Sequence, residues 1–174
     1  ESSLMLAFLR DANTSQSVID IFNALDEVLG PELFEKLFPV ILTDNGSEFA
    51  DPELFETGKD GKQRTRLYYC EPRKSEQKGK LEKNHEYIRY VLPKGKSFDE
   101  LTQEKVLLMI NHINNTTRPK LQGLTPMKKA LQTFGKNVVL LLMAIITLVG
   151  SKRVWRVVSE RSQWLIFVYA VVSI

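Results

Sequence analysis

Two apolar runs of strand length flank an amphipathic helical segment, and that order constrains the fold more than any other feature of the chain. The first run is "SSLMLAFL", residues 2–9, bounded by polar residues. The segment "NTSQSVIDIFNALDEVLG" (13–30) follows, with Val18, Ile19, Phe22, Leu25, Val28 and Leu29 at helical spacing on one face. Thr14 or Ser15 can cap its start, and Gly30 followed by Pro31 stops it. "PELFEKLF" (31–38) predicts one or two further helical turns with proline first. The second run, "PVILTD" (39–44), reads as a buried strand, because Val40, Ile41 and Leu42 are consecutive apolar residues and two are β-branched. Strand, helix, strand predicts an α/β layer whose second strand runs parallel to a neighbour. Ligand chemistry in such sheets gathers at the carboxyl ends of strands, where Asp44 falls. Asn45 and Gly46 offer a turn that tolerates positive φ and leaves the carboxylate exposed. Asp-Asn-Gly is equally an ordinary surface turn, so these residues alone leave both readings open.

Downstream, "TGKDGKQRTRLYYCEPRKSEQKGK" (57–80) is basic and loop-rich, with a short strand expected over 65–70. A helix is predicted from roughly 78 to 92, carrying Leu81, His85, Ile88 and Leu92 on one stripe. Glu82, Glu86 and Arg89 share the neighbouring stripe. "SFDE" (97–100) is a capping box, Ser97 with Glu100, expected to open a helix in which Val106, Met109, Ile110 and Ile113 face inward. "NNTTRPKLQGLTP" (114–126) is a loop, and Thr125 with Pro126 starts a further helix, "PMKKALQTF".

The net charge of +3 hides a division along the chain. Residues 1–58 hold 2 basic and 12 acidic side chains, residues 59–96 hold 12 and 5, and residues 97–174 hold 10 and 4. An acidic start followed by a basic remainder suggests a face for a polyanion, while a solvated lysine-rich surface remains the plainer alternative. Cys70 is the single cysteine, so an intrachain disulfide and a cysteine-rich zinc site are both excluded. A reducing cytoplasm is the compartment expected. The chain opens with Glu1 and lacks the pattern of a signal peptide, so its N-terminus is expected to have been cut from a longer chain.

"TDNGSEF", then "YYCEPRKSEQKGKLEKNHEYIRYVLPKGKSFDELT", then "NNTTRPKLQGLTPMKKAL" resemble, in order, the catalytic core of DDE transposases. The nearest match in this resemblance is the bacterial insertion-sequence group called the IS-thirty family, related to retroviral-type integrases. It implies an RNase-H-like α/β core that cleaves and joins DNA strands with two divalent ions, Mg²⁺ or Mn²⁺, held by three carboxylates. Two such ions, roughly 3.5–4 Å apart, stabilise both the attacking and the leaving oxygen of an in-line phosphoryl displacement. Hard cations of this kind take carboxylate oxygens. Asp44 matches the family's second acid, within T-D-N/R-G-x-E-F, and Glu82 matches the third. Ser75, Gln77 and Gly79 stand ahead of Glu82 and Arg89 follows it, as the family pattern requires; Asn45 and Gly46 flank Asp44. His85 stands where the family usually has Asn, and on the inner stripe it also reads as a packed core histidine. Lys78, Lys80, Lys83, Arg89 and Lys94 are expected to hold DNA phosphates, with Arg118 and Lys120 as further DNA contacts. Tyr68 and Tyr69 read as core and edge residues in preference to base-stacking platforms. The resemblance implies transposon ends and target DNA as partners, and a homo-oligomer.

Two departures qualify the match. The family's first acid lies on an earlier strand, and no residue among 1–38 takes its place: Asp11 follows a strand but precedes the helix, and Asp20 and Asp26 lie on the helix. The expectation is a partial catalytic core over 1–134 that lacks its first strands and is inactive as it stands. Past residue 134 the pattern stops. "NVVLLLMAIITLVGS" (137–151) carries no charge, and "WLIFVYAVVSI" (164–174) is apolar again. Neither run reaches the roughly 20 residues of a membrane-spanning helix. Residues 135–174 are therefore read as a divergent apolar tail, an out-of-frame translation or a recombined end, with a membrane anchor less favoured. The alternatives to an enzyme are a non-catalytic DNA-binding remnant or a membrane-associated protein.

Overall fold

The computed structural model describes residues 2–10, 12–43, 46–70, 86–90, 101–151 and 164–169, with backbone alone over 148–151 and 164–169. The described part is a mixed α/β structure, mostly helical, with a small parallel strand pair. Its core is organised around β1 (Met5–Arg10), whose alternate side chains enter two different cores. Leu4, Leu6 and Phe8 face the first core, and Met5 and Ala7 face the second.

The first core is closed by α1 (Ser15–Leu29), α2 (Pro31–Leu37) and later helices. α1 begins as expected at Thr14, whose side chain accepts the Ser17 N–H at 3.3 Å. It ends at Gly30, whose φ of 75° suits a residue without Cβ and whose N–H reaches the Asp26 carbonyl. Val18, Ile19, Phe22, Leu25 and Leu29 are buried as the periodicity requires. Val28 is not: it is 38% exposed, and Ile21 takes the inward place instead. Val28 stands at the margin of the buried stripe, beside exposed Glu27 and about 100° round the helix from buried Leu29.

β2 (Val40–Thr43) runs parallel to β3 (Arg66–Tyr69), in the register Val40 with Arg66 through Thr43 with Tyr69. The parallel pairing matches the expectation, but full burial does not. Leu42 is 42% exposed, because Ile41 and Leu67 face the core while Val40, Leu42, Arg66 and Tyr68 occupy the outer face. Tyr68, at 50% exposure, is likewise no core residue. The start of this pair is pinned by Arg64. Its guanidinium donates to the Phe55 carbonyl (2.9 Å), Asn23 (2.9 Å), Asp26 (3.3 Å) and the Leu54 carbonyl (3.3 Å), and lies over the Phe34 ring. Burial lowers the Arg64 pKa and the Asp26 hydrogen bond opposes that shift, so the cation is held by partners rather than by solvent. α3 (Pro52–Glu56) supplies two of those carbonyls and buries Phe55.

The second core is built on α4 (Gln103–Asn114) and helical residues 86–90. Val106, Met109, Ile110 and Ile113 are buried as expected, and Ile88 joins them. The start of α4 differs from the expectation. Leu101 and Thr102 are not helical, and Thr102, extended and accepting the Lys105 N–H, is the cap. The box at 97–100 lies outside the described residues. α5 (Pro126–Phe134) opens on Thr125 and Pro126 as predicted. α6 (Lys136–Ser151) packs against β1, α1 and α4, burying Val139, Leu142, Ile145 and Ile146 in the first core. β4 (Trp164–Tyr169) pairs antiparallel with β1, Met5 opposite Tyr169 through Arg10 opposite Trp164. No single described helix is long and apolar enough to cross a membrane.

The far edge of β1 is met by side chains. Asn114 accepts the Met5 N–H at 2.9 Å and donates to the Met5 carbonyl at 2.8 Å. Gln103 accepts the Leu9 N–H at 3.1 Å and donates to the Ala7 carbonyl at 3.2 Å. Asn114→Leu leaves two buried backbone groups without partners and is expected to destabilise the fold by roughly 2–4 kcal/mol. Asn115→Ala, on the exposed side, should stay within about 0.5 kcal/mol. Chemical denaturation of both variants checks this.

Candidate functional site

Both strands of the parallel pair end at one level. The Cys70 N–H donates to the Thr43 carbonyl at 2.7 Å, one step beyond the last paired residues. Asp44 follows Thr43 directly in the chain; Asp44 and Asn45 themselves lie outside the described residues. Glu82, Ser75, Gln77, Gly79, Lys78, Lys80, Lys83, His85 and Lys94 lie outside them too.

The chain is described again from Gly46. Gly46 has φ −64° and ψ 145°, an ordinary extended conformation, so no positive φ is required of it. It leads into a 3₁₀ turn over Ser47–Phe49, closed by the Phe49 N–H on the Gly46 carbonyl at 3.0 Å. Two contacts hold this turn against its surroundings. Ser15, the first residue of α1, donates from its hydroxyl to the Ser47 carbonyl at 3.0 Å, and the Tyr69 hydroxyl donates to the Phe49 carbonyl. The end of β1 contributes Arg10, which is buried and donates to Ser17 at 3.2 Å and Asn13 at 3.0 Å. Burial lowers the Arg10 pKa, and the Glu48 charge partly restores it. The region around the 43–46 connection, the strand lip, is therefore polar: the Arg10 cation and the Glu48 carboxylate interact electrostatically, and the Ser15 and Tyr69 hydroxyls donate to the turn. Arg10 and Ser47 were not singled out from the sequence; an arginine closing an apolar strand was the available signal.

Of the cations expected to meet phosphate, Arg89 and Lys120 are exposed. Arg118 differs. It is only 7% exposed, its guanidinium lies 4.7 Å from the Tyr87 ring centre, and its backbone closes the 118–124 turn through Leu124. A side chain so enclosed serves packing between this turn and helical residues 86–90, which separates it from the cations open to solvent. Among the described residues, no three His, Cys, Asp or Glu side chains gather closely enough to share a metal ion. A shallow depression of about 460 Å³ at the α1–α2 junction, lined by Leu29, Gly30, Pro31, Glu32, Leu33 and Lys36, lies at the opposite end of α1 from the strand lip.

Over 103 residues, 59% of the chain, the sequence is 35% identical to the transposase for insertion sequence element IS4351 of Bacteroides fragilis, covering 30% of that protein. Over 92 residues, 53% of the chain, it is 28% identical to the ORF3 protein of Spiroplasma virus SpV1-R8A2 B, an inferred integrase, covering 27% of it. These relatives support a transposase/integrase family. The chain spans less than a third of the length of either curated relative. No family model and no solved structure matches it.

The lip depends on the Tyr69 hydroxyl. Tyr69→Phe removes one hydrogen bond and should cost about 0.5–1.5 kcal/mol. Amide exchange at Phe49 and Ala50 should accelerate more than exchange within α1, and hydrogen-exchange measurements would register that difference.

Proposed function

We propose that the chain is part of a DNA transposase or integrase of the DDE kind, with an RNase-H-like core. Asp44 and Glu82 would then be two of its metal-binding carboxylates. The observation that carries this reading is the 35% identity over 103 residues to an insertion-sequence transposase. The parallel β2–β3 pair supports it, since a carboxylate directly after a parallel strand is where such a fold presents its chemistry. Bound Mg²⁺ or Mn²⁺ would activate the attacking oxygen and neutralise the charge of the leaving one. The protein's own part is to orient. The strand end fixes where the chain enters Asp44, and Ser15 and Tyr69 hold the turn that leaves it. Arg89 and Lys120, with Lys78, Lys80, Lys83 and Lys94, would neutralise phosphates along the strand and keep it in register without reading sequence.

The 174 residues alone are expected to turn over little, since the two aspartates described within 1–38 have other positions or other work. Asp20 and Asp26 lie on α1, and Asp26 is committed to Arg64. Binding of a mixed-sequence duplex should weaken linearly with log salt, and Lys120→Ala should reduce the slope by about 1. Weak Mn²⁺ binding, followed by electron paramagnetic resonance, should be lost in Asp44→Asn. DNA binding without any Mn²⁺ effect would instead favour a non-catalytic DNA-binding protein. Robust metal-dependent strand transfer by this chain would overturn the expected inactivity, and absence of DNA binding would overturn the assignment.

A further inference from the structure

The outer face of the parallel pair presents an arrangement that the proposed phosphoryl chemistry does not use. Tyr68 is 50% exposed, and Leu42, its register partner on β2, is 42% exposed. Arg66, two residues earlier on β3, is exposed on the same face. Tyr68 is thus an aromatic residue within a strand, beside an apolar neighbour, with Arg66 two backbone steps (about 6.6 Å) earlier on the same face. Tyr69 differs from it: its hydroxyl is spent on the Phe49 carbonyl.

We propose that this face is a stacking platform for an unpaired DNA base, with Tyr68 as the ring, Leu42 as its apolar flank and Arg66 as the cation for an adjoining phosphate. The inference rests on the DNA reading above and adds a binding site to it. Three observations favour a nucleotide as the occupant. Every base has a π-face, so an exposed ring beside a guanidinium suits a strand of any sequence. The chain turns from acidic to basic between residues 58 and 59, so β3 with Tyr68 and Arg66 belongs to the basic part, while Leu42 on β2 belongs to the acidic part and supplies apolar surface alone. Finally, Leu42 and Tyr68 lie one residue before the strand ends, Thr43 and Tyr69, beyond which the chain enters Asp44. A base seated there keeps its strand beside the lip. In a duplex the base faces are occupied by their neighbours, so the platform selects single-stranded DNA or frayed ends.

The test compares wild type, Tyr68→Ala, Tyr68→Trp and Arg66→Ala by fluorescence anisotropy. The probes are a labelled mixed-sequence 20-mer, single-stranded and as a duplex, at one ionic strength. Tyr68→Ala should weaken single-strand binding by about 5- to 100-fold and leave duplex binding within about twofold, as expected for one lost stack. Tyr68→Trp should retain or improve single-strand affinity, and Arg66→Ala should weaken it and lower its salt dependence. Because Tyr68 is half exposed, both Tyr68 variants should melt with wild type. Equal losses for the two DNA forms, or none for single strands, would overturn the platform and leave the DNA reading standing. Conversion of a self-associated form to a monomer by Tyr68→Ala, with single-strand affinity unchanged, would make the face a contact between copies and also overturn it. Failure of wild type to bind either DNA would overturn both the platform and the DNA reading.

Discussion

A strand buried on both faces must still satisfy two edges of backbone N–H and C=O groups, and β1 meets that demand from two sources. On one edge it pairs with β4. On the other, Met5, Ala7 and Leu9 are met by the carboxamides of Asn114 and Gln103, which imitate a neighbouring strand's donors and acceptors. The geometry requires α4 to run antiparallel along β1. Eleven helical residues rise about 16 Å and the four steps from Met5 to Leu9 span about 13 Å, so both amides can reach at once. Once α4 is locked this way, its apolar stripe covers the Met5–Ala7 face, and the opposite face is left for α1 and α6.

With that centre fixed, two residues tie the start of the parallel pair to the rest of the fold. Arg64 and Thr65 secure where β3 begins: Arg64 through α1, α3 and the Phe34 ring, and Thr65 through a 2.6 Å hydrogen bond to the Phe38 carbonyl before β2. With the starts tied and the register parallel, the two carboxyl ends come out level, and the polar lip forms there. Buried charge on Arg64 adds no stability by itself, since desolvation opposes the ion pair. Its contribution is geometric. It places four carbonyl and carboxamide or carboxylate acceptors in one arrangement, and that arrangement sets the strand ends.

The elements that the sequence made legible are those whose information is local. α1, its Thr14 cap and Gly30 stop, the parallel β2, and the Thr125–Pro126 start all depend on neighbours a few residues away. What escaped depends on distant partners. The outer position of Leu42 and Tyr68 follows from which face of β2–β3 the Arg64 cluster and Phe55 cover, and no local pattern carries that. Arg118, which the resemblance gave as a DNA contact, is buried against Tyr87, 31 residues earlier, and no local pattern foretells that contact. One long-range contact did leave a trace. Gln103 and Asn114 fall on the same helical stripe as Val106 and Ile110, and a carboxamide on an apolar stripe signals a buried partner. The candidate acids were legible as motif positions, while the chemistry around them, Arg10, Ser47 and the Tyr69 hydroxyl, emerges only when β1, β3 and the turn meet.

The uncharged run after residue 136 is where composition and packing argue most directly. An apolar helix can face lipid all round or bury one stripe in protein, and the spacing of buried residues separates the cases. In α6 the buried positions are Val139, Leu142, Ile145 and Ile146, while Leu140 and Ala144 are exposed. This is a one-sided stripe, and it shares a core with Leu4, with Leu6 and Phe8 of β1, and with α1. Burying four such side chains is worth about 6–12 kcal/mol before chain entropy is counted. Without that cover, the inner residues of β1 on this face would stand open to water. The same strand that draws its edge partners from α4 thus draws its apolar cover from α6, and the run's lack of charge is what that position demands on the β1 side.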